Sequence, residues 1–109
     1  IQKMKRFSRF WDLTYNSGNF GRTLPLLWKN GSVFDAFFHF SEWIYLQTAS
    51  TWKISLERLA QLLFRYLTEV EDVEKTEVAA AMIGDFTRIQ TRKIPVFLRA
   101  YTTTKVQTN

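Results

Sequence analysis

The stretch Ser32 to Leu46, SVFDAFFHFSEWIYL, constrains the fold more than any other part of the chain. Ser32 and Asp35 read as an acidic variant of the capping box: the hydroxyl accepts from a first-turn amide and the carboxylate suits the positive end of a helix. A helix opened there and running to about Gln47 carries Val33, Phe34, Phe37, Phe38, Phe40, Ile44 and Tyr45 on a very wide apolar arc. Asp35, His39 and Glu42 are left as a narrow polar stripe. A helix so apolar must be covered on most sides, which makes it the central element of the core.

The segments around it keep the same period. Lys3 to Tyr15 places Phe7, Phe10, Trp11 and Thr14 at helical spacing and stops at Asn16-Ser17-Gly18, where glycine suits a left-handed cap. Phe20 to about Asn30 puts Phe20, Leu24, Leu27 and Trp28 on one stripe. Pro25 belongs in its first turn, because a deeper proline loses a hydrogen bond and clashes, and Thr23 is then the cap of a late start. Ser55 opens a helix to about Glu69, with Leu56, Leu59, Ala60, Leu63, Tyr66 and Leu67 on one side. The next runs from about Thr76 to Gln90 and turns Val78, Met82, Phe86 and Ile89 inward. Ile94 to Leu98 reads as a short sixth helix with Pro95 at its first position. Thr102 to Asn109 is polar and expected to fray.

Only 4 glycines and 2 prolines occur in 109 residues, too few for the turns of a β-sandwich or barrel. The expectation is an all-α, single-domain chain, a compact bundle of about five to six helices. Phe37, Phe38, Leu59, Leu63, Met82 and Phe86 should meet in one cluster, and Phe37→Ala or Phe38→Ala should each cost on the order of 3 kcal/mol.

Composition removes several function classes. Without cysteine the chain offers no disulfide, thiol nucleophile or thiolate ligand for zinc or an iron–sulfur cluster. This agrees with a reducing compartment, and a cytoplasmic location is expected. No window approaches the roughly 18 apolar residues of a membrane span. The net charge of +5 gathers at the ends, in Lys3, Lys5, Arg6 and Arg9 and in Arg88, Arg92, Lys93, Arg99 and Lys105, while half of the ten acids lie between Glu69 and Glu77. Basic termini can serve nucleic acid or an anionic surface. Here they read first as ends that face solvent or the rest of a larger protein, since the acidic block repels phosphates and no recognition pattern accompanies the bases. The chain opens on Ile1 rather than Met, and is expected to be a piece of something longer, with residues 1–15 a connecting helix.

Few residues suggest chemistry. Asp35, His39 and Glu42 share one helical face and have the donor types of a divalent-metal site. Three ligands from one helix rarely close a coordination sphere, so they read as an exposed polar stripe, with Asp35 and His39 an i,i+4 pair. Asp85 sits at the edge of an apolar face, where a carboxylate needs a partner. Arg88, Arg92 and Arg99 are the candidates for it, and a catalytic reading lacks a second acid or base. Phe7, Phe10 and Trp11, set among Lys5, Arg6 and Arg9, could stack on bases, but are more naturally core or a domain contact. No glycine-rich phosphate loop, nucleophile elbow or metalloprotease motif is present. No catalytic, cofactor-binding or metal-binding residue is therefore assigned.

The strings YNSGNFGRTLPLLW, SVFDAFFHFSEWI, LLFRYL, MIGDFTR and RKIPVFL follow one another in an order that resembles the C-terminal helical domain of cobalamin-binding radical S-adenosylmethionine proteins, the DUF4080 type. The similarity runs from about Phe10 to Leu98, and the order and spacing of its motifs carry it. The resemblance implies a non-catalytic accessory domain that packs on or covers a catalytic barrel. The parent would hold a [4Fe-4S] cluster through Cys-x3-Cys-x2-Cys, together with S-adenosylmethionine and cobalamin, and such parents are often called iron–sulfur oxidoreductases or likened to the anaerobic magnesium-protoporphyrin cyclase. None of those ligands stands in this sequence. The partners implied are the upstream radical and cobalamin domains of the same chain. Tyr15, Asn16, Gly18 and Phe20 would form a fixed-angle hinge, Asp85 and Pro95 would be structural, and Phe7, Phe10 and Trp11 would make the contact. The alternative is a small basic helical domain that binds nucleic acid or another protein.

Overall fold

A computed structural model of the chain describes residues 1–29 and 31–102. Helix α1, Gln2–Trp11, runs on through a wide π-turn, Asp12–Asn16. A 3-10 helix, Leu24–Trp28, precedes α2, Val33–Thr48. Helix α3, Leu56–Arg65, likewise widens into a π-turn, Tyr66–Val70, and is followed by α4, Lys75–Thr87, and a 3-10 turn, Val96–Leu98. The architecture is all-α, and no strand occurs among the described residues.

The caps act as their residue types require. Ser32 Oγ accepts from the Asp35 amide at 3.2 Å and Ser55 Oγ accepts from the Arg58 amide at 3.0 Å, each satisfying a first-turn donor that has no intrahelical partner. Helix α2 ends at Ala49, a non-glycine residue in the left-handed region with φ 54°.

The second segment departs from expectation. Phe20 to Thr23 is a turn, and only Leu24–Trp28 is helical, as a 3-10 helix with Pro25 near its start. The early proline and two nearby glycines leave too few residues for α-helical hydrogen bonding before the next turn. Thr23 does occupy the N-cap position, yet its hydroxyl caps nothing in its own helix. Pro95 stands just before the last short helix, extended with ψ 148°, rather than inside it. Asn30 and the tail expected to fray, apart from Thr102, lie outside the described residues.

Helix α2 lies between α1 on one side and the Leu24–Trp28 segment on another, while α3 packs on α4. The core gathers Phe10, Phe20, Phe37, Phe40, Ile44, Leu59, Leu62, Leu63, Leu67, Val78, Met82, Phe86 and Leu98. Five of the six expected core residues are in it. Phe38 is not: it is half-buried and stacks on Phe34, which is 50% exposed. The buried stripe of α2 is Phe37, Phe40, Ser41 and Ile44, the i, i+3, i+4, i+7 set that its neighbours cover. The apolar arc read from sequence was wider than the part of it that meets the core. The cost expected for Phe37→Ala stands on complete burial, and that for Phe38→Ala falls with its exposure.

Candidate functional site

Three places gather side chains of functional interest, and the first is the joint between α1 and the Leu24–Trp28 helix. Gly18 holds φ 75°, a conformation that side chains resist. Around it Asn16 Nδ2 donates to Asp12 Oδ1 at 2.6 Å, Ser17 Oγ donates to the Thr14 carbonyl at 3.1 Å, and the Asn19 amide donates to Ser17 Oγ at 3.2 Å. Phe20 is buried at 1% exposure and anchors the new segment in the core. Gly21 differs: its φ is not positive, and a Cβ added there meets nothing within 4 Å. Only the first of the two glycines is demanded by the turn.

The joint is fastened from outside by α4. Asp85, 2% exposed, accepts from the Arg22 amide at 2.8 Å, the Thr23 amide at 3.0 Å and Thr23 Oγ1 at 2.7 Å. A carboxylate on one helix thereby caps the start of another. Two of the expected arginine partners turn elsewhere. Arg88 Nη2 donates to the Gly18 carbonyl at 3.1 Å, and Arg92 Nη1 donates to Asn19 Oδ1 at 3.0 Å while its guanidinium lies 5.7 Å from the Phe86 ring centre. Two backbone amides on consecutive residues match the two carboxylate oxygens better than one long side chain does, and they had no partner of their own. A Cβ on Gly84 would come within 2.7 Å of an Arg22 side-chain nitrogen, so the arginine lies across that glycine. The strings around Asn16 to Thr23 and around Gly84 to Arg88 therefore belong to one contact.

The second place is a ladder of rings along α1 and α2. Tyr15 stacks on Trp11 at 4.5 Å, Trp11 on Phe7 at 5.9 Å, Phe7 on Phe34 at 5.1 Å and Phe34 on Phe38 at 6.0 Å, every interplanar angle below 30°. Tyr15 is 53% exposed, and Phe7, Trp11 and Phe38 are half-buried. Phe10, expected on the same contact, faces the core at 0% exposure because it lies a quarter turn away from the 7, 11, 15 row. Beside the Tyr15 end lies a cleft of about 420 Å³ lined by Tyr15, Phe20, Gly21, Leu24, Pro25 and Trp28.

The third place is the turn between α2 and α3. Trp52 there is 69% exposed and divides two clefts, of about 460 and 380 Å³. Arg9 reaches it from α1, with Nε donating to the Thr51 carbonyl at 3.2 Å and the guanidinium 4.9 Å from the indole centre. Arg6, one turn earlier, forms a two-pronged pair with Glu42 at 2.7 and 2.9 Å and lies 4.3 Å from the Tyr45 ring centre. The pair's own hydrogen bonds hold the Glu42 carboxyl below its ordinary value against the opposing effect of burial, and raise that of Arg6.

That pair also breaks up the polar stripe. Glu42 is committed to Arg6, and His39 Nδ1 lies 2.9 Å from the Asp35 carbonyl oxygen. A carbonyl only accepts, so that nitrogen carries the proton. The three residues do not converge, and no group of three metal-ligating side chains occurs among the described residues.

Sequence reasoning found the joint, Asp85's need for a partner, and part of the ladder. It missed the α2 half of the ladder, the Arg6–Glu42 pair and Trp52. Only the last had a local signal, as a large aromatic alone in the polar loop SerThrTrpLys.

These features define a small helical domain whose polar interior contacts fasten its own joints and whose rings and cations face outward. The chain belongs to the DUF4080 family, proteins of unknown function, whose sequence profile matches residues 1–109. No curated protein and no solved structure matches it. No helix among the described residues is long and apolar enough to cross a membrane.

Proposed function

We propose that this chain is a non-catalytic C-terminal accessory domain of a cobalamin-binding radical S-adenosylmethionine protein, and that it packs on the catalytic barrel through the aromatic ladder. Family membership over the whole chain supports the domain identity. The ladder carries the docking reading: five stacked rings, half-exposed along a single face, are an apolar surface of the kind that domain contacts cover. The open space at Gly21, in the cleft at the end of the ladder, leaves room there for a side chain of the barrel. The iron–sulfur cluster, S-adenosylmethionine and cobalamin belong to the upstream domains in this reading, and the location is cytoplasmic. The domain supplies no thiolate and contributes by surface.

The reading predicts a Cys-x3-Cys-x2-Cys motif in the coding sequence upstream of Ile1. It also predicts that Gly21→Leu, which has space in the isolated domain, leaves the melting temperature unchanged within about 2 °C. The same change, or Phe34→Glu, should weaken association with the separately expressed upstream region by about tenfold or more. An upstream sequence without the motif, or unchanged association in both variants, rejects the proposal.

A further inference from the structure

The turn between α2 and α3 presents its tryptophan on a rigid mount. Ala49 and Lys53, both non-glycine, hold φ of 54° and 57° on either side of it. Thr48 Oγ1, its one proton shared between the Ile44 and Ser50 carbonyls at 3.0 and 2.9 Å, accepts from the Ser50 amide at 3.2 Å. Ser50 Oγ donates to the Trp52 carbonyl at 3.1 Å and accepts from the Trp52 amide at 3.0 Å, and Arg9 closes the turn through Thr51. Two strained residues and five hydrogen bonds hold in place an indole that is 69% exposed. Such strain persists only where the surroundings fix it, and its expense marks a segment whose shape is used.

The charges around the indole are unbalanced. Its first cleft is lined by Gln2, Lys5, Arg6, Arg9, Tyr45 and Trp52, and its second by Gln47, Lys53, Arg58 and, again, Trp52. Arg6 is neutralised by Glu42. Among the described residues the Lys5 ammonium has no hydrogen-bond or ion-pair partner, and the Arg9 side chain uses only Nε, leaving its terminal nitrogens to an incoming acceptor. Arg9 covers one face of Trp52, and among the described residues no second ring or cation stacks on the indole. A phosphate suits the paired cations of the first cleft, and a flat aromatic group suits the bare face in the second. Each cleft has the size of a small-molecule site.

We infer that Trp52, Arg9 and Lys5 form a mononucleotide site, with the phosphates held between Lys5 and Arg9 and the base stacked on the open face of Trp52. The inference is independent of any docking through the ladder, which involves other residues.

The test is an NMR titration of the isotope-labelled 109-residue chain with ATP at low salt. Saturable shifts are expected at the Trp52 indole N–H and at the amides of Ser50 to Lys53. Pyrophosphate should bind at least about fivefold more weakly, for want of a stacked base. Lys5→Met, which removes no internal contact, should weaken ATP about threefold or more and steeply reduce its salt dependence. Trp52→Leu should erase the preference for ATP over pyrophosphate. No saturable shift at millimolar ATP, shifts centred elsewhere, or full affinity in both variants overturns the site. A single-stranded hexanucleotide that binds much more tightly than ATP overturns the mononucleotide assignment.

Discussion

The joint at Asn16 to Thr23 and the turn at Ala49 to Lys53 are both stiffened by side-chain hydrogen bonds, but their charges are used in opposite ways. At the joint three charged groups end on partners within the fold: Asp85 on two amides and a hydroxyl, Arg88 on Gly18, Arg92 on Asn19. At the turn the backbone is satisfied internally while Lys5, the far end of Arg9 and the indole of Trp52 face outward. A polar network closed on itself specifies geometry. One whose backbone is closed while its cations stay open specifies geometry for something else. The contrast predicts that the joint carries stability and the turn does not.

The largest effect should come from Asp85. Asp85→Ala strands the Arg22 and Thr23 amides and the Thr23 hydroxyl, at least two of them in a buried site, and should cost about 3 kcal/mol or more in urea denaturation. Trp52→Leu, at a highly exposed ring, should change stability by about 0.5 kcal/mol or less. Equal losses at the two positions would abolish the distinction between a closed and an open network.

How much of this was legible in the sequence depends on the range of each contact. The positions of the longer helices followed from period, and the Ser32 and Ser55 caps from local chemistry, because those forces act within one turn. That Asp85 needed a partner was readable from its place on an apolar edge. Its identity was not, since the donors lie 62 and 63 residues away and two of the three are backbone amides, which every residue but proline carries. Arg6 and Glu42 are 36 residues apart and look like any other surface charges until α1 lies beside α2. Phe37 and Phe38 are chemically identical neighbours, separated only by a helix rotation that α1 and the Leu24–Trp28 segment impose. Phe10 was assigned to a docking face with Phe7 and Trp11 for the same reason: period groups residues on one side of a helix without saying how much of that side a neighbour covers.

Within the joint, the two glycines sharpen the comparison at smaller scale. Gly18→Ala places a side chain at φ 75° and should cost about 1 kcal/mol. Gly21→Ala meets open space at an ordinary φ and should be neutral within about 0.5 kcal/mol, or slightly stabilising through the unfolded chain. A matching loss at both would mean that the turn, and not the cleft beside it, dictates the second glycine.

The smallest effect concerns Arg6, in the wall of the Trp52 cleft, and the Glu42 that pairs with it. The Glu42 carboxyl is held below its ordinary value of 4.5, first by the hydrogen bonds from Arg6 and then by their mutual charge, with burial working against both. A carboxyl lowered in the folded state releases its proton more readily there than in the unfolded chain. The unfolded chain therefore binds more protons in this range, and stability rises with pH. The pair's contribution is complete above pH 4.5 and fades as pH falls through the lower, folded value. Denaturation midpoints of the native chain and Glu42→Gln, compared at pH 6, 4 and 3, should differ most at pH 6 and draw together as pH falls. The gap itself should be modest, because both groups are partly open to water and salt screens them. A gap that widens toward acid would place the proton linkage on other carboxylates and leave the Arg6–Glu42 pair as geometry alone, a wall that shapes the cleft without stabilising the fold.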